Sequence, residues 1–102
     1  MHIVLRWATC AAVAIAAPAV AQTTFTSGKV IAVFGDPSDF VVQLDTNGSC
    51  GSNFFHSQRA NANFREMVAI ALTAFATGKT LGFFVESCVG DRNITSHGLV
   101  AR

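Results

Sequence analysis

Two cysteines, two histidines and a few carboxylates are the residues beyond the N-terminal apolar run whose types suit chemistry, and their spacing narrows what they do. Cys50 and Cys88 have no CxxC arrangement. In a chain that leaves the cytoplasm, two such cysteines read as one structural disulfide rather than a redox or metal site. The bridge closes a loop of 39 residues counting both ends, for which chain entropy gives about 4 kcal/mol. His56 and Ser57 are adjacent. Neighbours on a strand point to opposite faces, so the imidazole does not serve the hydroxyl as a base. No G-x-S-x-G elbow is present, and His56 reads as a strand residue on an outer face. His56, His97 and Asp91 lack the HxH, HExxH or HxxxH spacing of a metal site. The triplets Asn47-Gly48-Ser49 and Asn93-Ile94-Thr95 fit the glycosylation sequon, but both fall where turn chemistry already favours Asn. No enzyme, metal or cofactor is expected from these residues.

The first stretch sets the compartment. Met1–Arg6 carries one Arg and no acid, Trp7–Ala17 is almost wholly apolar, and Ala19-Val20-Ala21 fits the small-x-small cleavage rule. That is a signal peptide over residues 1–21, cleaved after Ala21, and too short for a membrane span. Its Ala-rich composition looks bacterial, and the product is expected to be secreted or periplasmic. Residues 22–102 then form one small domain. Its six basic and six acidic residues cancel, which argues against nucleic acid or an anionic membrane surface as partner. It has nine Phe and neither Trp nor Tyr.

Elements able to hold these residues follow in order. Gln22–Ser27 is a polar lead-in that suits the start of a strand. Lys29–Phe34 is β-branched and aromatic, a strand closed by the turn Gly35–Asp39. Phe40–Leu44 is a second strand ending at Asn47-Gly48, and Asn53–Ser57 a third. Asn63 with Glu66 forms a capping-box variant, and Phe64, Met67, Val68, Ala71, Leu72 and Phe75 recur at helical spacing. Gly78 ends the helix, with Lys79 beside its negative pole. Thr80–Ser87 and Ile94–Val100 are the last strands. In the pairs Phe54-Phe55 and Phe83-Phe84, alternation sends one ring inward and one outward. The chain is thus mainly β with one helix, in the order β-β-β-α-β-β. That is the order of an OB-fold-like five-stranded Greek-key barrel. A split sheet with the helix on one face is the alternative.

One arrangement resembles a known family. A Cys after strand two, an apolar helix, Thr77-Gly78-Lys79-Thr80 leading into an aromatic strand, and a second Cys are similar to the B subunit of subtilase cytotoxin. Gly28-Lys29-Val30-Ile31 adds to the match near the start. The resemblance implies an OB-fold protomer, a pentameric ring and recognition of cell-surface glycans without enzymatic activity. No ligand-binding residue of that family is matched by a motif, so none is carried over.

The helix bears on assembly. From Met67 to Ala76 only Thr73 is polar. With Phe64, Val68, Ala71 and Phe75 facing the core, Ala69, Ile70, Thr73 and Ala76 form a second apolar face, expected to be the interface of a homo-oligomer. The sequence therefore reads as a secreted, disulfide-stabilised binding subunit for a glycan or other extracellular ligand. A stand-alone periplasmic or secreted accessory or inhibitor protein that binds another protein is the alternative.

Overall fold

The computed structural model describes residues 23–102, and the expected signal segment and its cleavage site lie outside the described residues. Five strands and one helix follow the expected order: β1 (Thr24–Gly35), β2 (Asp39–Leu44), β3 (Phe54–Gln58), α1 (Phe64–Thr77), β4 (Thr80–Val89) and β5 (Arg92–Ala101). The polar lead-in is part of β1, which makes that strand twelve residues long. Its length has a use. The first half pairs with β4, from Thr24 opposite Val85 to Lys29 opposite Thr80, and the second half pairs with β2, from Val30 opposite Leu44 to Gly35 opposite Phe40. A register shift between Val30 and Ala32 lets the strand pass from one partner to the other.

The remaining pairings close the ring. β2 and β3 are antiparallel, β4 and β5 are antiparallel, and β3 meets β5 in parallel through Phe55–Asn93 and His56–Ile94. The order around the closed ring is β1-β2-β3-β5-β4. Inside it Phe55 and Phe83 stack with centroids 5.2 Å apart, among Val42, Leu44, Leu81 and Val85. Their sequence neighbours point outward: Phe54 meets Phe34 edge-on and Phe84 lies against Phe25.

The helix closes one end of the ring, but its facing corrects the sequence expectation. Met67, Ala71 and Ala74 are its buried residues, and Ile70 packs on the core rather than outward. Phe75 and Leu72 are exposed, at 48% and 45%. The cause is close approach. A Cβ on Gly98 of β5 would sit 2.9 Å from Ile70 Cδ1, and the face turned to the strands carries small residues at Ala71 and Ala74. With that approach the bulky Phe75 lies outside.

The helix start is also secured differently from the expectation. Asn63 makes no side-chain cap bond; its Nδ2 donates to Ser96 O at 2.9 Å, tying the helix start to β5. At the other end Gly78 adopts φ 70°, as a left-handed cap requires, and its N–H donates to Ala74 O. The cation there is Lys29, whose Nζ donates to Gly78 O at 2.8 Å; no basic residue lies in the last helical turn.

Cys50 and Cys88 are joined, with Cα atoms 5.5 Å apart. The bridge ties the β2–β3 loop to the end of β4. Asn93 holds the same loop from β5 and is fully buried. Its Oδ1 accepts from Cys50 N, and its Nδ2 donates to Ser52 O and Phe54 O, each at 2.9 Å. The expectation of a turn at Asn93 is corrected: it sits on β5 with its amide committed to the fold.

Candidate ligand groove

A groove of about 230 Å³ opens on the outer face of β2 and β3. Register explains its floor. Val41 lies opposite His56 on one side and Phe34 on the other, so all three share the face turned away from the core. Phe34 and Phe54 form an apolar wall, and Ser52, Asp91 and Arg92 form the polar rim. The side chains thus come from the end of β1, from β2 and β3 and the loop between them, and from the β4–β5 turn with the first residue of β5.

Beneath the rim lies a buried polar pair. His56 is on the outer face, as its alternation with Phe55 requires, yet it is covered and only 7% exposed. Its Nδ1 is 2.8 Å from Asp39 Oδ2, and Asp39 is 6% exposed. Burying a carboxylate is costly unless it is hydrogen-bonded, and the imidazole supplies a hydrogen bond.

The turn that aims Asp39 is itself tied down. Asp36 Oδ1 accepts from Ser38 N, Ser38 Oγ and Asp39 N. Its hydrogen-bonding neighbours, first Asp39 and then Ser38, hold the Asp36 carboxyl far below the usual carboxylate range. Arg59 reaches across to donate from Nε to Asp36 O at 3.0 Å, while its guanidinium lies 5.1 Å over the Phe64 ring. A line of contacts therefore runs from the start of α1 through Arg59 and the β1–β2 turn to the groove floor.

A second depression, of about 460 Å³, lies on the opposite side of the ring, bounded by Thr23, Phe84, Ser96, His97 and Gly98. Here His97 is exposed, and its Nδ1 bonds to the neighbouring Ser96 Oγ at 2.9 Å.

The residues singled out from sequence are distributed accordingly. His56 and Asp91 share the groove; His97 lines the other depression. Among the described residues no group of three His, Cys, Asp or Glu side chains is placed to hold a metal. Ser57 faces away from His56, into the ring, where its Oγ lies 3.1 Å from Thr95 Oγ1. On α1, Ala69, Thr73 and Ala76 are exposed, and Thr73 Oγ1 donates back to Ala69 O. Sequence reasoning missed Asp39, Phe34 and Arg92 as parts of a site. The one local signal was Asp36-Pro37-Ser38-Asp39, whose Asx-turn chemistry foretells a tightly held second carboxylate.

No protein family model matches the chain, and no curated protein or solved structure matches it. Among the described residues no helix is long and apolar enough to cross a membrane.

Proposed function

We propose that the chain is an exported, non-enzymatic binding domain with an OB-like barrel, and that it takes a cell-surface glycan or another extracellular ligand in the groove over β2 and β3. The position of the groove carries this reading. OB-folds bind their ligands on the face of strands two and three, flanked by the loops joining strands one to two and four to five. Here Val41, Phe54 and His56 come from that face, Phe34 from the approach to the first loop, and Asp91 and Arg92 from the second. An apolar wall with a few convergent polar groups is also the usual make-up of a small-ligand site. Export is supported by the N-terminal segment and by the bridge between Cys50 and Cys88. The resemblance to the subtilase cytotoxin B subunit adds glycan recognition and a ring of five copies.

The test is an amide NMR titration of oxidised protein against a panel of glycans. The reading expects shifts centred on Phe34, Phe54, His56 and Arg92. Shifts confined to another surface, or none across the panel, contradict it.

A second reading, as an assembly or accessory protein that binds another protein, is favoured by a different observation. Phe25, Leu72, Phe75 and Leu99 are exposed large hydrophobic residues. On α1 the surface open to a second copy then comprises Ala69, Thr73 and Ala76 together with Leu72 and Phe75, while Ile70 supports it from beneath. Light scattering at micromolar concentration tests self-association: an oligomer that Leu72→Glu with Phe75→Glu dissolves supports it, and a strict monomer removes it.

A further inference from the structure

One buried side-chain nitrogen lining the groove has no partner among the described residues. The His56 side chain is 8% exposed, and its Nδ1 is taken up by Asp39 Oδ2 at 2.8 Å. Among the described residues Nε2 has no hydrogen bond, although His56 lines the groove. Buried polar groups are nearly always paired, so an unpaired one facing a groove calls for a partner, an ordered water or a ligand group. Asp39 also bears on which kind of partner. A carboxylate only accepts, so Nδ1 carries a hydrogen toward Asp39, and in the neutral imidazole Nε2 is then a lone-pair acceptor.

We infer that Nε2 of His56 accepts a hydrogen bond from a hydroxyl of a neutral polyol ring, the pyranose class, whose C–H face lies on Phe34 and Phe54. This rests on the groove being the ligand site and states what that site takes. Three observations point to this class. The acceptor needs a donor, and the rim offers both signs, Arg92 as donor and Asp91 as acceptor; hydroxyl groups answer both because each donates and accepts. The charges also select against ions. An anion attracted by Arg92 meets Asp91 beside it and Asp39 beneath the floor, while a cation meets Arg92. Finally, about 230 Å³ lies below the roughly 300–1,000 Å³ of drug-sized pockets, a size for one ring rather than an extended chain.

The assignment makes binding sensitive to acid. Protonating the imidazole places a hydrogen on Nε2 and turns the acceptor into a donor. The charged groups on that side are Asp39 from β2, Asp36 behind it in the β1–β2 turn, and Asp91 and Arg92 from the β4–β5 turn.

The experiment uses the oxidised protein with methyl glycosides of glucose, galactose, mannose and N-acetylglucosamine, and with a methyl glucuronide as the charged arm. Imidazole nitrogen NMR of the free protein should show His56 as the Nδ1–H tautomer. A neutral glycoside should shift the groove amides and the Nε2 resonance, bind more tightly than the glucuronide, and lose affinity as the imidazole protonates. The double variant Asp39→Leu with His56→Leu avoids leaving a lone buried charge and should lose roughly tenfold in affinity, about one hydrogen bond. His56→Gln is the rescue: its carbonyl accepts the same hydroxyl while its amide faces Asp39, so binding persists without the acid sensitivity. Groove binding with an Nε2–H tautomer, or with affinity kept in the double variant, overturns the His56 assignment and leaves the groove standing. Tighter binding of the glucuronide overturns the neutral class. Amide shifts away from the groove with every glycoside overturn both readings.

Discussion

The groove over β2 and β3 and the outer face of α1 both present phenylalanine to solvent, yet they are built differently underneath. In the groove Phe34 and Phe54 stand over Val41 and over a buried histidine–carboxylate pair, and the loop beside them is held by a disulfide and by three hydrogen bonds of Asn93. On α1, Leu72 and Phe75 stand beside Ala69, Thr73 and Ala76, and Thr73 spends its hydroxyl on its own helix. The groove places fixed polar groups beside apolar surface, which suits recognition of a small polar molecule. The helix offers apolar surface without fixed polar groups, which suits contact with another protein surface or none.

Stability measurements sharpen this difference. The largest effect is expected at the bridge. Cys50→Ala with Cys88→Ala should cost about 2–5 kcal/mol in denaturant unfolding, as loss of a native bridge in a small exported domain does. Hydrogen exchange should rise at the Ser52–His56 amides, beside the groove, more than along α1. Equal loosening of both regions would remove the distinction.

His56→Ala is next. It leaves the Asp39 carboxylate without its imidazole hydrogen bond in a site where that residue is 6% exposed, and an unsatisfied buried group typically costs about 1–3 kcal/mol, more when it is charged. Phe75→Ser on the half-exposed helix face should stay within about 0.5 kcal/mol in the monomer. Similar costs for the two, by urea titration at one protein concentration, would mean that the apolar helix face is as deeply built as the groove.

The smallest effect concerns the turn that aims Asp39. Because the Asp36 carboxyl titrates below its usual range, its contribution is complete above the ordinary carboxylate range. It is lost as pH falls through that range toward the folded value. Asp36→Asn should therefore lower stability slightly at neutral pH, and the gap from wild type should close on acidification. A gap that widens in acid would contradict the hydrogen bonding given to Asp36.

The sequence made the groove's scaffold legible but not the groove itself. Period-two alternation separates Phe55 and Phe83 from Phe54 and Phe84, and cysteine count with export pairs Cys50 with Cys88, because both signals are local or arithmetical. The His56–Asp39 pair joins two strands across seventeen positions, and only the register of β2 on β3 brings the side chains together. Asn93 resembles a turn residue by type, and its three bonds exist only once β5 lies beside β3. The facing of α1 was illegible for another reason. A helix apolar nearly all round has no polar side to fix its rotation, so the approach over Gly98 decides it, turning Ile70 in and Phe75 out.

The claim that this domain receives a ligand in the β2–β3 groove is tested most directly by isotope-filtered nuclear Overhauser spectroscopy on oxidised protein with a bound neutral methyl glycoside. The account predicts contacts from the sugar's C–H protons to the rings of Phe34 and Phe54. Contacts to Phe25, Phe84 or Phe75, with none to Phe34 or Phe54, would contradict it.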